Sequence, residues 1–199
     1  MNLLCYLLAL VFTSLLPVSV TRADESQCAA PFNTLKRRLN SDEQIDLCQL
    51  TQGKTVLLVN TASRCGFSGQ FTDLEALHQE FAPQGLVIIG FPSNTFFQAA
   101  ENEAEAAEIC YRNHGVSFTM LTETDVRGPD VDPIWQLLAD QGTPPKWNFY
   151  KYLLDHHGQL IDYWSSHVAP TSTSIRNTII QQLQNASADD ASSTTRVTH

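Results

Sequence analysis

The residue best placed for chemistry is Cys65, in the stretch Asn60-Thr61-Ala62-Ser63-Arg64-Cys65-Gly66-Phe67. A continuous apolar run, Lys54 to Asn60, stops there and helical spacing begins, so the thiol is expected to face orphan backbone N–H groups at a helix start. Those donors, the helix dipole and neighbouring Arg64 favour an anion and should lower the thiol pKa, raising the thiolate fraction. A cysteine packed as a small core hydrophobe is the competing reading.

The other cysteines differ in context. Cys5 belongs to the N-terminal apolar run, which leaves Cys28, Cys48, Cys65 and Cys110, for which three pairings are open. Cys28 and Cys48 lie near the mature N-terminus and just before the first central strand, in segments able to run side by side. A structural disulfide is the simplest reading and would contribute about 3 kcal/mol by loop closure. Cys110, in Ala107-Glu108-Ile109-Cys110-Tyr111, falls on a predicted helix. Farther along, Trp147 and Asn148 offer an indole N–H and a doubly donating amide, the kinds of group that steady a developing oxyanion. On spacing alone they read as a core aromatic followed by a turn residue.

These residues need a scaffold. Lys54 to Asn60, rich in branched side chains, reads as a strand covered on both faces. Phe67, Phe71, Leu74, Leu77 and Phe81 follow at helical spacing, and Leu86 to Phe91 forms a second strand that stops at Pro92, giving a right-handed βαβ unit. Asn102 to Asn113 is predicted helical, Val116 to Leu121 a third strand, and Ile134 to Ala139 a short helix opened by Pro133. Phe149 to Leu154 and Leu160 to Trp164 flank Asp155-His156-His157-Gly158, a hairpin turn. A final helix carries Ile175, Ile179, Ile180 and Leu183 on one side. This order predicts an α/β protein, a thioredoxin-like three-layer sandwich with a central mixed β-sheet flanked by helices.

The two ends differ from this core. Leu3 to Leu16 is apolar and Thr21-Arg22-Ala23 suits a signal peptidase, so residues 1–23 are expected to be a removed signal peptide. The run is short and soon meets Arg22, Asp24 and Glu25, which argues against a membrane span. The chain is then exported, periplasmic in a bacterium and secreted otherwise. Residues 24–184 make one domain, and 185–199, rich in Ser, Thr, Ala and Asp, are expected to be a disordered tail. A formal net charge of −9 argues against nucleic acid or anionic membrane as a partner. His78, His114, His156, His157 and His167 show no ligand spacing and no Gly-rich phosphate loop occurs, so no metal, nucleotide or other cofactor is expected.

Three blocks, taken in order, carry a family resemblance: Val59 to Phe67; Gly90-Phe91-Pro92-Ser93-Asn94-Thr95-Phe96; and Lys146-Trp147-Asn148-Phe149. Together, over residues 48 to about 184, they resemble the glutathione peroxidase family, with cysteine where some members carry selenocysteine. The likeness extends through Gly115-Val116-Ser117-Phe118 and the Asp132-Pro133-Ile134-Trp135 turn. The resemblance implies reduction of hydrogen peroxide or organic hydroperoxides, with Cys65 as the peroxidatic residue and Trp147 and Asn148 lining its pocket. It implies that Cys110 is a resolving cysteine, joined to Cys65 in a catalytic disulfide. The family's usual Gln after the Asn of the second block is here Thr95, the candidate fourth member of the catalytic group; Gln98, three residues on, is the alternative. The short segment between Cys110 and Trp147 looks like that of the monomeric, open-site subgroup, which implies a thioredoxin-like reductant rather than glutathione.

Two other functions compete. A thioredoxin-like disulfide oxidoreductase needs Cys-x-x-Cys, whereas the chain has Cys65-Gly66-Phe67-Ser68. A redox sensor or low-activity pseudo-peroxidase relaying oxidation to a partner is the reading to which Thr95 lends weight.

Overall fold

The computed structural model describes Cys28 and residues 31–196, with side chains to Ser192; the expected signal segment, Cys5 and residues 197–199 lie outside the described residues. In chain order the elements are β1 (Leu35–Arg37), β2 (Gln44–Asp46), α1 (Leu47–Thr51), β3 (Thr55–Thr61), α2 (Gln70–Phe81) and β4 (Leu86–Pro92). There follow α3 (Glu103–Ala107), a π-helical segment (Glu108–Asn113), β5 (Thr119–Met120), α4 (Pro133–Gln141), β6 (Lys151–Leu154), β7 (Leu160–Trp164) and α5 (Thr173–Arg196). The first hairpin and α1 are too short to show a period, and the sequence reading missed them.

All residues of β3 are buried, which puts this strand at the centre of a five-stranded sheet of order β5-β4-β3-β6-β7. β4 runs parallel to β3 and to β5, while β6 runs antiparallel to β3 and β7, so the sheet is mixed. Successive side chains of a strand point to opposite faces. Leu57 and Val59 accordingly pack with Phe71, Leu74 and Leu77 of α2 and Ile175 and Ile179 of α5. Val56 and Leu58 pack on the other side with Ile134, Trp135 and Leu138 of α4. The result is the expected thioredoxin-like sandwich, and each of these fully buried aliphatic side chains contributes about 2 kcal/mol.

Local chemistry sets the element ends. Asp132 caps α4, its Oδ1 accepting from Ile134 N at 3.0 Å ahead of Pro133, and its Oδ2 meets Lys36 Nζ. Gly90 is required by packing, since a Cβ there would overlap Met120 Sδ on the neighbouring strand. The third strand is shorter than its apolar run: only Thr119–Met120 pairs with β4. The stretch from Asn185, expected to be disordered, is instead helical to Arg196 as the continuation of α5. A helix already nucleated by packed residues propagates at little further cost, which composition alone does not register. Among the described residues no helix is long and apolar enough to cross a membrane.

Lys151, in β6, is fully buried, with Nζ donating to Val168 O at 2.7 Å. Burial pushes its pKa down to about 7. Between that value and the unfolded value near 10.5 the unfolded chain binds the additional proton, so Lys151 makes stability rise with pH across this window. Lys151→Met should flatten the rise by up to roughly 2 kcal/mol between pH 7 and 9, as read from urea denaturation midpoints. An identical pH slope in the variant would contradict a depressed lysine.

Candidate active site

β3 ends at Thr61, but α2 starts only at Gln70. Between them the backbone makes tight turns, with Ser68 N donating to Cys65 O at 2.9 Å and Phe71 N to Ser68 O at 3.0 Å. Cys65 occupies the cap of this series, its Sγ accepting from Phe67 N at 3.5 Å. The donor facing the sulfur is therefore a local turn N–H; the dipole of α2 begins more than a turn later, where its influence has largely decayed. Arg64 is engaged with acidic partners. Its guanidinium binds Glu101 at 3.0 Å and Glu105 at 2.8 Å, because acidic side chains at the start of α3 compete for it. Cys65 is only 3% exposed and packs in one cluster with Phe71, Phe149 and Cys110, so the sulfur lies beneath the surface rather than in an open mouth.

Asn60 organises the second half of the site. It is fully buried at the end of β3, where an unpaired amide would be costly. Its Nδ2 donates to Trp147 O at 3.1 Å, its Oδ1 accepts from Tyr150 N at 3.0 Å, and its backbone O accepts from Phe149 N at 2.6 Å. These bonds hold the Trp-Asn-Phe block beside the strand end, with Phe149 at φ +63°, a conformation unfavourable for a bulky residue. Trp147 is 41% exposed, its ring 5.4 Å from that of Phe96. Asn148 is buried, and Ser166 Oγ donates to its backbone O at 2.5 Å.

Gln98, not Thr95, reaches this amide. Asn148 Nδ2 donates to Gln98 Oε1 at 3.0 Å, and Gln98 O accepts from Arg64 N at 3.0 Å. One residue thus ties the turn holding Cys65 to the Trp-Asn-Phe block. The Thr95 hydroxyl is engaged away from Asn148, tying its loop to the one before α4: it accepts from Ser93 Oγ at 2.9 Å and Val126 N at 3.1 Å and donates to Asp125 Oδ1 at 3.3 Å. No period in the sequence points to Gln98. Asn60 carried a signal that was overlooked, a polar residue closing an apolar run, which must find partners once buried.

Cys110 is a buried free thiol whose pKa burial pushes up to about 12. The helix predicted over Asn102 to Asn113 is α-helical only to Ala107 and π-helical from Glu108 to Asn113, with Cys110 in the wider segment. Such segments are less stable than α-helix and frequently mark functional sites. A cavity of about 320 Å³ lies between Ala62 and Ser63 on one side and Asn102, Glu103 and Ala106 on the other. Cys28 and Cys48 form a disulfide with Cα atoms 5.5 Å apart, joining the N-terminal segment to α1.

Compared with protein-family models, residues 32–139, more than half of the chain, match Glutathione peroxidase. The chain belongs to the glutathione peroxidase family. It is similar to the glutathione peroxidase-like peroxiredoxin gpx1 of Schizosaccharomyces pombe, at 44% identity over 58% of this chain and 77% of that protein. It is also similar to the hydroperoxy fatty acid reductase Gpx2 of Synechocystis sp., at 36% identity over 65% of this chain and 85% of the relative. Among solved structures, the crystal structure of Trgpx in apo form superposes with a TM-score of 0.61 at 30% identity, covering 77% of this chain and 94% of that one. Within this glutathione peroxidase scaffold, Gln98 is the particular feature by which this chain secures Asn148.

Gln98→Ala should leave Asn148 unrestrained and slow the oxidation of Cys65 by hydrogen peroxide about tenfold or more, followed as thiol loss in stopped flow. Thr95→Val should stay within about twofold of the parent, since its hydroxyl bonds to Ser93, Asp125 and Val126 and not to Asn148. Equal losses in both variants would remove the distinction between them.

Proposed function

We propose that the chain is a cysteine-type thiol peroxidase of an exported, oxidising compartment, which reduces hydrogen peroxide and organic hydroperoxides, lipid hydroperoxides included, and protects against oxidative stress. The observation that carries this reading is the Gln98 tie, which links the buried amide of Asn148 to the turn of Cys65. The names of the two curated relatives, a peroxiredoxin and a hydroperoxy fatty acid reductase, support it. So do the exposed rings of Phe97 and Trp147, an apolar rim suited to an acyl chain. Export is supported by the Cys28–Cys48 disulfide, since such bonds persist where the surroundings are oxidising. The signal segment, residues 1–23, is removed on this reading.

The Cys65 sulfur, once reached by the peroxide, attacks its terminal oxygen and breaks the O–O bond. The leaving alkoxide takes a proton and departs as alcohol, or as water from hydrogen peroxide, with Trp147 and Asn148 donating to it. Cys65 is now a sulfenic acid. Cys110, freed as its π-helical segment opens, attacks that sulfur; a disulfide forms and water leaves. A thioredoxin-like dithiol then reduces the Cys65–Cys110 bond by exchange, and the monomeric enzyme returns to its starting state. The protein itself supplies every group the cycle needs apart from the reductant.

The reading is tested with hydrogen peroxide and cumene hydroperoxide, thioredoxin, its reductase and NADPH. Steady NADPH oxidation is expected with the parent chain and none with Cys65→Ser. Cys110→Ser should retain one stoichiometric reaction with peroxide and lose thioredoxin-driven turnover. Absence of turnover with both peroxides in the parent would overturn the assignment in favour of a redox sensor, and full turnover in Cys110→Ser would strip that residue of its role.

A further inference from the structure

We infer that the turn between β6 and β7 and the distal part of α5 form a zinc-binding site from His156, His157 and Asp189. The ligand atoms of these three residues lie within 4.8 Å of one another. His156 Nε2 is 3.0 Å and His157 Nε2 3.8 Å from the same oxygen, Asp189 Oδ2. In a tetrahedral zinc site with bonds of about 2.05 Å, neighbouring ligand atoms stand roughly 3.4 Å apart, and the two observed separations bracket that edge. Small side-chain rotations bring three ligands to one ion and leave a fourth position for water. Imidazole and carboxylate together suit a borderline ion such as zinc, whereas calcium or magnesium takes a shell made of oxygen.

A plain histidine–aspartate hydrogen bond accounts for His156 but not for His157, whose nitrogen is beyond hydrogen-bonding distance. The two imidazole rings lie with centroids 3.9 Å apart and planes at 44°. One divalent ion between the nitrogens and the carboxylate engages both rings and offsets the charge of Asp189. The turn is already fixed: Asp155 Oδ1 accepts from His157 N and Gln159 N, each at 2.9 Å, and Gly158 adopts φ +77°. His156 Nδ1 is buried without a partner among the described residues, so binding rests on the three ligands with no outer hydrogen bond to that ring. The consequence is structural. Beyond Asn185, α5 has almost no large apolar residue with which to hold itself to the body. An ion bridging Asp189 to the hairpin would staple the end of this helix. Sequence spacing hid the site because its third ligand lies 33 residues from the first.

Zinc chloride is titrated calorimetrically into the metal-free chain carrying Cys65→Ser and Cys110→Ser, which removes binding by the free thiols. One ion per chain is expected, with affinity falling about 100-fold or more in His157→Ala and in Asp189→Asn. Both side chains are largely exposed, so the substitutions should leave the fold intact; with the cysteines restored, peroxide turnover in these variants should equal that of the parent. Elastase, which cleaves after small residues such as Ala186, Ala188 and Ala191, should also release the C-terminal segment faster after chelation in the parent and not in the variants. Absence of stoichiometric binding, or unchanged affinity in both variants, would overturn the site whatever the peroxidase assay shows.

Discussion

A buried amide that cannot go unpaired governs the architecture of this protein. Asn60 closes the central strand in a region from which water is excluded, and leaving its side chain unsatisfied would cost on the order of 1–3 kcal/mol. Its partners are the backbone groups of Trp147 and Tyr150, so satisfying it fastens the Trp-Asn-Phe block to the strand that delivers Cys65. The same requirement extends outward. Asn148, carried inward by this block, bonds to Gln98, and Gln98 returns to Arg64 beside the nucleophile. The site is thus a ring of polar groups closed around a core, and its geometry follows from the cost of opening any one of them.

On the proposed cycle, the other half must change. Burial disfavours the Cys110 thiolate, so in that cycle its attack waits for the helix around it to open. The helix is short and passes at Glu108 into a π-helical segment that contains Cys110, and open volume lies between α3 and Ala62 and Ser63. Its start is firmly attached, Arg37 and Thr122 gripping Glu103 and Arg64 gripping Glu105, which on the proposed cycle leaves the opening to the segment that carries the thiol. The proposed cycle makes complementary demands on the two halves, because its first reaction needs alignment and its second needs two distant sulfurs to meet.

The C-terminal helix is a separate matter. Its first turns are anchored by Ile175, Ile179 and Leu183 in the core, and from Asn185 onward it continues with little apolar surface to bury. The contact of Asp189 with the paired histidines gives that extension a place to rest on the body of the protein.

Apolar periodicity alone determined much. The runs at β3 and β4, the spacing of Phe71, Leu74, Leu77 and Phe81, the hairpin and the apolar side of the last helix specify the mixed sheet and its layers, because burying one face of each element leaves few arrangements. The sequence blocks likewise brought Cys65, Trp147 and Asn148 forward as one set, and the family resemblance added Cys110. Only the tertiary structure decided between Thr95 and Gln98, turned Arg64 toward Glu101 and Glu105, covered Cys65 and joined Asp189 to the histidines. Each of these depends on which polar groups meet across elements far apart in the chain. Burial of apolar surface has a period that a sequence displays, whereas the pairing of individual donors and acceptors has none and is settled only when the packed core brings them within reach.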